Sequence, residues 1–99
     1  MSRYILSRLA ERDLDEIWLY IAEDSVEAAD KVIEKIRDAM RKLAEMPGMG
    51  HRRDEFSADD VRVWSVYSYL IVYRLVPDRP IQVARVINGM RDLSNIPLN

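Results

Sequence analysis

The chain has 99 residues, 48% of them hydrophobic and 32% charged, a formal net charge of −2 and no cysteine. This length gives a single domain, residues 1–99, with room for one core. Without cysteine there is no disulfide framework and no thiolate metal site, and a mildly acidic balance argues against a dedicated nucleic-acid binder, which carries a basic face.

Residues 4–6, Tyr-Ile-Leu, suggest a short opening strand. A first helix is predicted over 10–22, where Ala10, Leu14, Ile17, Trp18 and Ile21 recur at helical spacing and form one apolar stripe. Asp24 and Ser25 break the pattern, and either is a suitable cap for the next helix. That helix is predicted over 26–46, with Ala29, Val32, Ile33, Ile36, Met40 and Leu43 on its apolar face. Glu27 with Lys31 and Asp38 with Lys42 are candidate ion pairs on its wet side. Pro47 and Gly48 end it. The short connection makes the two helices an antiparallel hairpin.

Residues 47–60 read as a loop rich in Gly, Arg and Asp, after which the period switches from helical to strand-like. Strands are predicted over 61–66, 69–76 and 81–87, a three-strand antiparallel meander. Tyr67-Ser68 is the first turn, although neither residue favours positive φ. Pro77-Asp78-Arg79-Pro80 is the second. Pro97 argues against a long terminal helix. The fold class is therefore α+β, with an N-terminal strand and a helical hairpin packed on one face of a small antiparallel sheet.

The strand over 69–76 is apolar on both sides. Tyr69, Ile71, Tyr73 and Leu75 share one face, and Leu70, Val72, Arg74 and Val76 share the other. A helical hairpin covers only one face. Either a partner covers the second, or the C-terminal tail folds over it through Leu93, Ile96 and Leu98. Covering Leu70 and Val72 would contribute about 1.5–3 kcal/mol each if burial were complete.

Catalytic and metal-binding signals are weak. His51 is the only histidine and lies beside Arg52 in a polar loop, where it reads as a surface residue. One histidine without cysteine makes a zinc site improbable. Gly48 and Gly50 are not followed by the Gly-Lys-Ser/Thr of a phosphate loop. No cofactor is expected. No apolar run approaches the about 20 residues of a membrane span, and charged residues from Arg8 to Asp13 interrupt any leader-like stretch, so the expected location is the cytoplasm. Charge is uneven along the chain. Residues 1–46 hold 8 basic and 11 acidic groups, whereas residues 47–99 hold 7 basic groups, all arginine, and 6 acidic ones. Those arginines either pair with local Asp and Glu or form a patch suited to carboxylates or phosphates.

The stretch from Asp13 to Ala22, Asp-Leu-Asp-Glu-Ile-Trp-Leu-Tyr-Ile-Ala, resembles the first helix of the RelE/ParE toxin superfamily, on its ParE-like branch. The resemblance continues through Ala28-Ala29, Leu43-Ala44-Glu45-Met46-Pro47, Gly50-His51-Arg52-Arg53-Asp54-Glu55-Phe56, Val61-Arg62, Tyr69-Leu70-Ile71-Val72-Tyr73-Arg74 and the run from Arg85 to Leu93. It implies the toxin of a type II toxin–antitoxin system, such as those that stabilise plasmids, neutralised by a cognate ParD-like antitoxin. It also implies a helix hairpin on an antiparallel sheet. The ParE-like branch inhibits DNA gyrase by protein binding. The RelE-like branch cuts messenger RNA on the ribosome.

In RelE-like nucleases the resemblance places an arginine where this chain has Leu70, an arginine matching Arg91, and a tyrosine where this chain has Pro97. Leucine cannot stabilise a phosphorane and proline cannot act as an acid. The resemblance thus implies a non-enzymatic toxin, without direct sequence-specific contact to nucleic acid. The antitoxin-binding surface is expected to use Arg62, Trp64, Leu70, Val72, Arg74 and Arg91. The alternatives are an mRNA interferase, with Arg62, Arg74, Arg85 and Arg91 as a phosphate-binding patch, and an antitoxin-binding module without toxicity.

Overall fold

Local sequence signals account for most of the elements in the computed structural model, which describes residues 3–53, 60–89 and 97–98. Strand β1 is Tyr4–Leu6 and helix α1 is Arg8–Ala22. Ser7 starts the helix two residues before the apolar stripe does. Its Oγ accepts from the Ala10 amide at 3.0 Å and donates to the Ala84 carbonyl at 2.7 Å, so the cap also ties the helix to the sheet. Helix α2 is Val26–Glu45, and Ser25 rather than Asp24 caps it, accepting from the Ala28 amide. Trp18 donates its indole N–H to Asp30, which pins the two helices together.

The Glu27–Lys31 pair forms at 3.8 Å on the exposed side. Asp38, however, pairs with Arg41 at 2.6 Å instead of with Lys42, and Arg41 also reaches Glu34. The guanidinium fork can hold two carboxylates at once, which a lysine ammonium does less readily.

The segment after α2 is not wholly loop. Pro47–Met49 is a 3₁₀ turn and His51–Arg52 forms a short strand, β2. Two residues are too few to show a period of two, so the sequence pattern does not reveal this strand. Strands β3 (Val61–Val66), β4 (Tyr69–Arg74) and β5 (Ile81–Asn88) form the expected meander. β4 ends at Arg74, two residues before the apolar run does. The turn falls at Tyr67-Ser68 as expected, with Tyr67 forced to φ 55°. Asp78 takes φ 61° in the second turn, a conformation Asp tolerates.

The sheet order is β1-β5-β4-β3-β2. β2 through β5 are antiparallel neighbours, whereas β1 pairs parallel with β5, from Tyr4 opposite Ile81 to Leu6 opposite Val83. The sheet is thus mixed: the meander is antiparallel, and the helical crossover from β1 adds one parallel edge.

The helices pack on one face of this sheet around Leu14, Ile17, Ile36, Met40, Leu43, Ile71, Tyr73, Val83 and Val86. A second, smaller cluster lies on the other face and contains Val61, Val63, Leu70, Val72 and Ile87, with Leu98 packed against it. The two faces of β4 therefore divide as the alternation predicts, and both are buried. Leu70 is 4% exposed and Val72 is fully buried within this chain. Leu98 from the chain's own tail covers part of the second face, so burial there does not require a partner. Leu93, Ile96 and Arg91 lie outside the described residues. No helix among the described residues is long and apolar enough to cross a membrane.

Candidate functional site

Pairing between strands assigns each expected site residue to a face, because cross-strand partners point the same way. Arg62 is paired with Tyr73 and Trp64 with Ile71, and both partners belong to the helix-side core. Arg74 is paired with Val61, a member of the opposite cluster with Leu70 and Val72. The expected antitoxin surface is therefore split. Arg62 and Trp64 lie on the helix side, near the edge of the sheet. Leu70, Val72 and Arg74 lie on the far side, and Arg91 lies outside the described residues.

Of the four arginines of the phosphate-patch alternative, Arg91 lies outside the described residues, and Arg62 and Arg74 are on opposite faces of the sheet. Arg62 sits 3.3 Å from Asp60 and donates to the Gly50 carbonyl at 3.2 Å. Arg85 is buried, and its Nε and one Nη donate to Asp13 at 2.7 and 2.9 Å. Its other Nη donates to the Pro97 carbonyl at 2.8 Å. The Asp13 hydrogen bond holds the Arg85 pKa above its ordinary value, with burial acting in the opposite direction. This arginine has all three of its donor nitrogens engaged and serves as a structural brace.

The brace sits at an irregularity of the sheet. The β4–β5 register slips between Val72, opposite Arg85, and Tyr73, opposite Val83, which leaves Ala84 unmatched. Such a bulge keeps Val83 and Val86 on the same face although they are three residues apart. Asp13 Oδ2 accepts the Val86 amide at 2.9 Å, and Ser7 serves the Ala84 carbonyl. Two backbone groups of the bulge, the Val86 amide and the Ala84 carbonyl, are thus satisfied from α1 and its cap. Neither Asp13 nor Arg85 is singled out as a pair by sequence pattern, yet each carries a signal. Asp13 is a charge inside the apolar stripe of α1, three residues after Ala10 and four before Ile17. Arg85 is a charge inside the apolar run of β5.

The edge near β2 is organised by Tyr73. Its hydroxyl donates to the Pro47 carbonyl at 2.7 Å and accepts the Gly50 amide at 2.9 Å. Burial pushes the Tyr73 pKa up, opposed by the hydrogen bond from Gly50. A Cβ at Gly50 would overlap the Tyr73 hydroxyl, so glycine is required here for close approach. This anchor sets the path of the chain into β2. There the exposed His51 ring lies nearly parallel to Trp64, 15° between planes and 6.2 Å between centroids.

Beside Trp64 runs a groove of about 570 Å³ between β3 and α2. Ala39, Met49, Trp64 and Val66 supply its apolar surface, and Lys35, Arg41 and Lys42 supply the basic side chains on its bank. Among the described residues no cluster of His, Asp and Glu could hold a metal ion.

Comparison with known proteins gives a consistent result. Residues 4–93 match the family of the ParE toxin of the type II toxin–antitoxin system parDE. Toxin ParE1 of Mycobacterium tuberculosis (strain CDC 1551 / Oshkosh) is 30% identical over 93 residues, covering 93% of this chain and 94% of the relative. Toxin ParE1 of Caulobacter vibrioides is 36% identical over 76 residues, covering 76% and 78%. A putative toxin, Y4kP, of Sinorhizobium fredii is 34% identical over 80 residues, covering 81% and 80%. Among solved structures, a chain of the chromosomal ParDE toxin–antitoxin system from P. aeruginosa shares the fold, with a TM-score of 0.71 at 23% identity over 89% of this chain and 96% of that one. With a helical hairpin on one face of the sheet and a match to nearly its full length, this chain belongs to the ParE toxin family of type II toxin–antitoxin systems.

Proposed function

We propose that this chain is a non-catalytic toxin that inhibits DNA gyrase by binding it and is neutralised by a cognate ParD-like antitoxin in the cytoplasm. The observation that carries the non-catalytic reading is the burial of Leu70, 4% exposed on the face where nuclease relatives place an arginine. That position holds an apolar side chain packed with Val72, Ile87 and Leu98, and the neighbouring Arg85 is consumed by Asp13 and Pro97. General acid–base cleavage of a phosphodiester needs a proton-transfer group and cationic donors aimed at one phosphate. Arg62 and Arg74, on opposite faces of the sheet, do not supply that arrangement.

The test is a supercoiling assay with purified gyrase and relaxed plasmid. Toxin at micromolar concentration is expected to block supercoiling or to accumulate cleaved DNA, and equimolar antitoxin to restore activity. Unchanged supercoiling and cleavage, with cells still arrested by the toxin, would show that gyrase is not the target. Ribosome-dependent mRNA cuts under those conditions would favour the interferase.

A further inference from the structure

The outward flank of α1 is apolar where folding gives no reason for it to be. Glu16, Leu19, Tyr20 and Glu23 follow one another at i, i+3, i+4 and i+7, and Glu23, the C-cap, still has helical φ and ψ. The four therefore share one side of the helix. The buried stripe of α1 runs through Ala10, Leu14 and Ile17 instead. Leu19 is 61% exposed and Tyr20 is 74% exposed, an adjacent apolar pair in water. Beside Tyr20 a groove of about 300 Å³ opens between α1 and the sheet, lined by Ile17, Tyr69 and Val86.

The charge around this flank has one sign. Residues 13–30 hold seven carboxylates and no lysine or arginine. Asp13 is consumed by Arg85, and Asp30 accepts from Trp18. Glu16 has only an exposed pairing with Arg12 at 3.7 Å, and Glu23 and Asp24 form no ion pair among the described residues. The last turn of α1 contains no basic residue. A helix C-terminus carries the negative pole of the helix dipole and favours cations, so Glu23 and Asp24 stand where they work against the helix. Local choices that oppose stability mark positions kept for another purpose.

We propose that this flank of α1 is the surface with which the toxin grips DNA gyrase, on a patch of the enzyme rich in Lys and Arg. The proposal rests on the gyrase reading above and adds the contact face. Leu19 and Tyr20 are the apolar anchors. Glu16, Glu23 and Asp24 meet the basic side chains, which also relieve the charge at the end of the helix. An enzyme that holds DNA presents cations to its phosphates, so the target offers the complementary charge. In a two-fold contact with a second copy of this chain, the same flank would set carboxylate against carboxylate.

The test measures binding and inhibition of purified gyrase by the full-length toxin, beside its binding to the cognate antitoxin. L19Q with Y20Q is expected to weaken gyrase binding and inhibition of supercoiling about tenfold or more. E16Q with E23Q should weaken both as well and flatten the dependence of binding on salt between about 50 and 300 mM, a readout that lost packing would not move. Neither pair should lower the urea midpoint, because all four side chains are exposed. Wild-type toxin that neither binds nor inhibits gyrase overturns the target reading, and this contact with it. Wild-type inhibition that survives both pairs of substitutions overturns the contact alone. Weakening by L19Q with Y20Q but an unchanged salt dependence in E16Q with E23Q overturns the basic partner surface. Loss of antitoxin binding with gyrase inhibition intact would assign the flank to the antitoxin and overturn the proposal as well.

Discussion

The Asp13 carboxylate on α1 and the Arg85 guanidinium on β5 form a two-pronged ion pair at 2.7 and 2.9 Å, each side chain only 10% exposed. The pair does three things at once. It clamps the first helix to the sheet, gives the Val86 amide an acceptor at the bulge, and directs the remaining Arg85 nitrogen to the tail at Pro97. Removing one partner strands the other charge in a site poorly reached by water.

Asp13→Ala is therefore expected to cost about 3–5 kcal/mol, measured by urea denaturation. The apolar pair D13L with R85M should recover much of that loss, since it leaves no lone charge. It should not recover all of it, because the Val86 amide still lacks its acceptor, worth about 1–3 kcal/mol. A double-mutant cycle reads the coupling directly. Equal stability of D13A and wild type would show that the pair has no structural weight.

Tyr73 links stability to pH. Its folded pKa is raised by burial, so the neutral hydroxyl is the form that the folded state favours. A raised pKa contributes stability that is complete below the unfolded value of about 10 and is lost as pH rises through the folded value. The urea midpoint of the wild type should accordingly fall above about pH 10. Tyr73→Phe should lower the midpoint at neutral pH, by about 1–3 kcal/mol for the abandoned Gly50 amide, and flatten the alkaline decline. Gly50→Ala should destabilise at neutral pH as well, since its methyl group meets the Tyr73 hydroxyl.

Tyr67 occupies the β3–β4 turn at φ 55°, 65% exposed. A left-handed conformation costs an L-residue about 1–2 kcal/mol, and glycine returns part of that through its greater unfolded freedom. Tyr67→Gly is expected to raise stability by about 0.5–1 kcal/mol, the difference between those terms. Thermal unfolding would show it. A lower melting temperature would mean that the Tyr67 ring contributes contacts that outweigh the strain.

Leu98 packs on Val61, Val63, Leu70, Val72 and Ile87. Ending the chain before Pro97 removes that contact and the acceptor for Arg85 Nη1. The truncated protein should lose about 2–4 kcal/mol from partial Leu98 burial and one charge-assisted hydrogen bond. It should also bind a hydrophobic dye that the full chain does not. Unchanged stability and dye binding would mean that other residues hold this face closed.

The sequence alone determined the two helices, the opening strand and the three-strand meander, together with their buried faces, but not the short β2. Ala10, Leu14 and Ile17 mark the buried side of α1, Ala29, Ile36, Met40 and Leu43 that of α2, and the alternation of β4 announces two apolar clusters. These readings succeed because side-chain periodicity is a local property of a helix or a strand. Only the tertiary structure decided how those faces are used. Pairing places Arg62 and Arg74 on opposite sides of the sheet, so residues that look like one patch along the chain are two. It also closes the Leu70 and Val72 face with the chain's own Leu98, and joins Asp13 to Arg85 across 72 positions. The physical reason is common to all three. A strand's register, a bulge that leaves Ala84 unmatched, and a buried ion pair are each fixed by backbone and charge partners distant in sequence, and no local period records them.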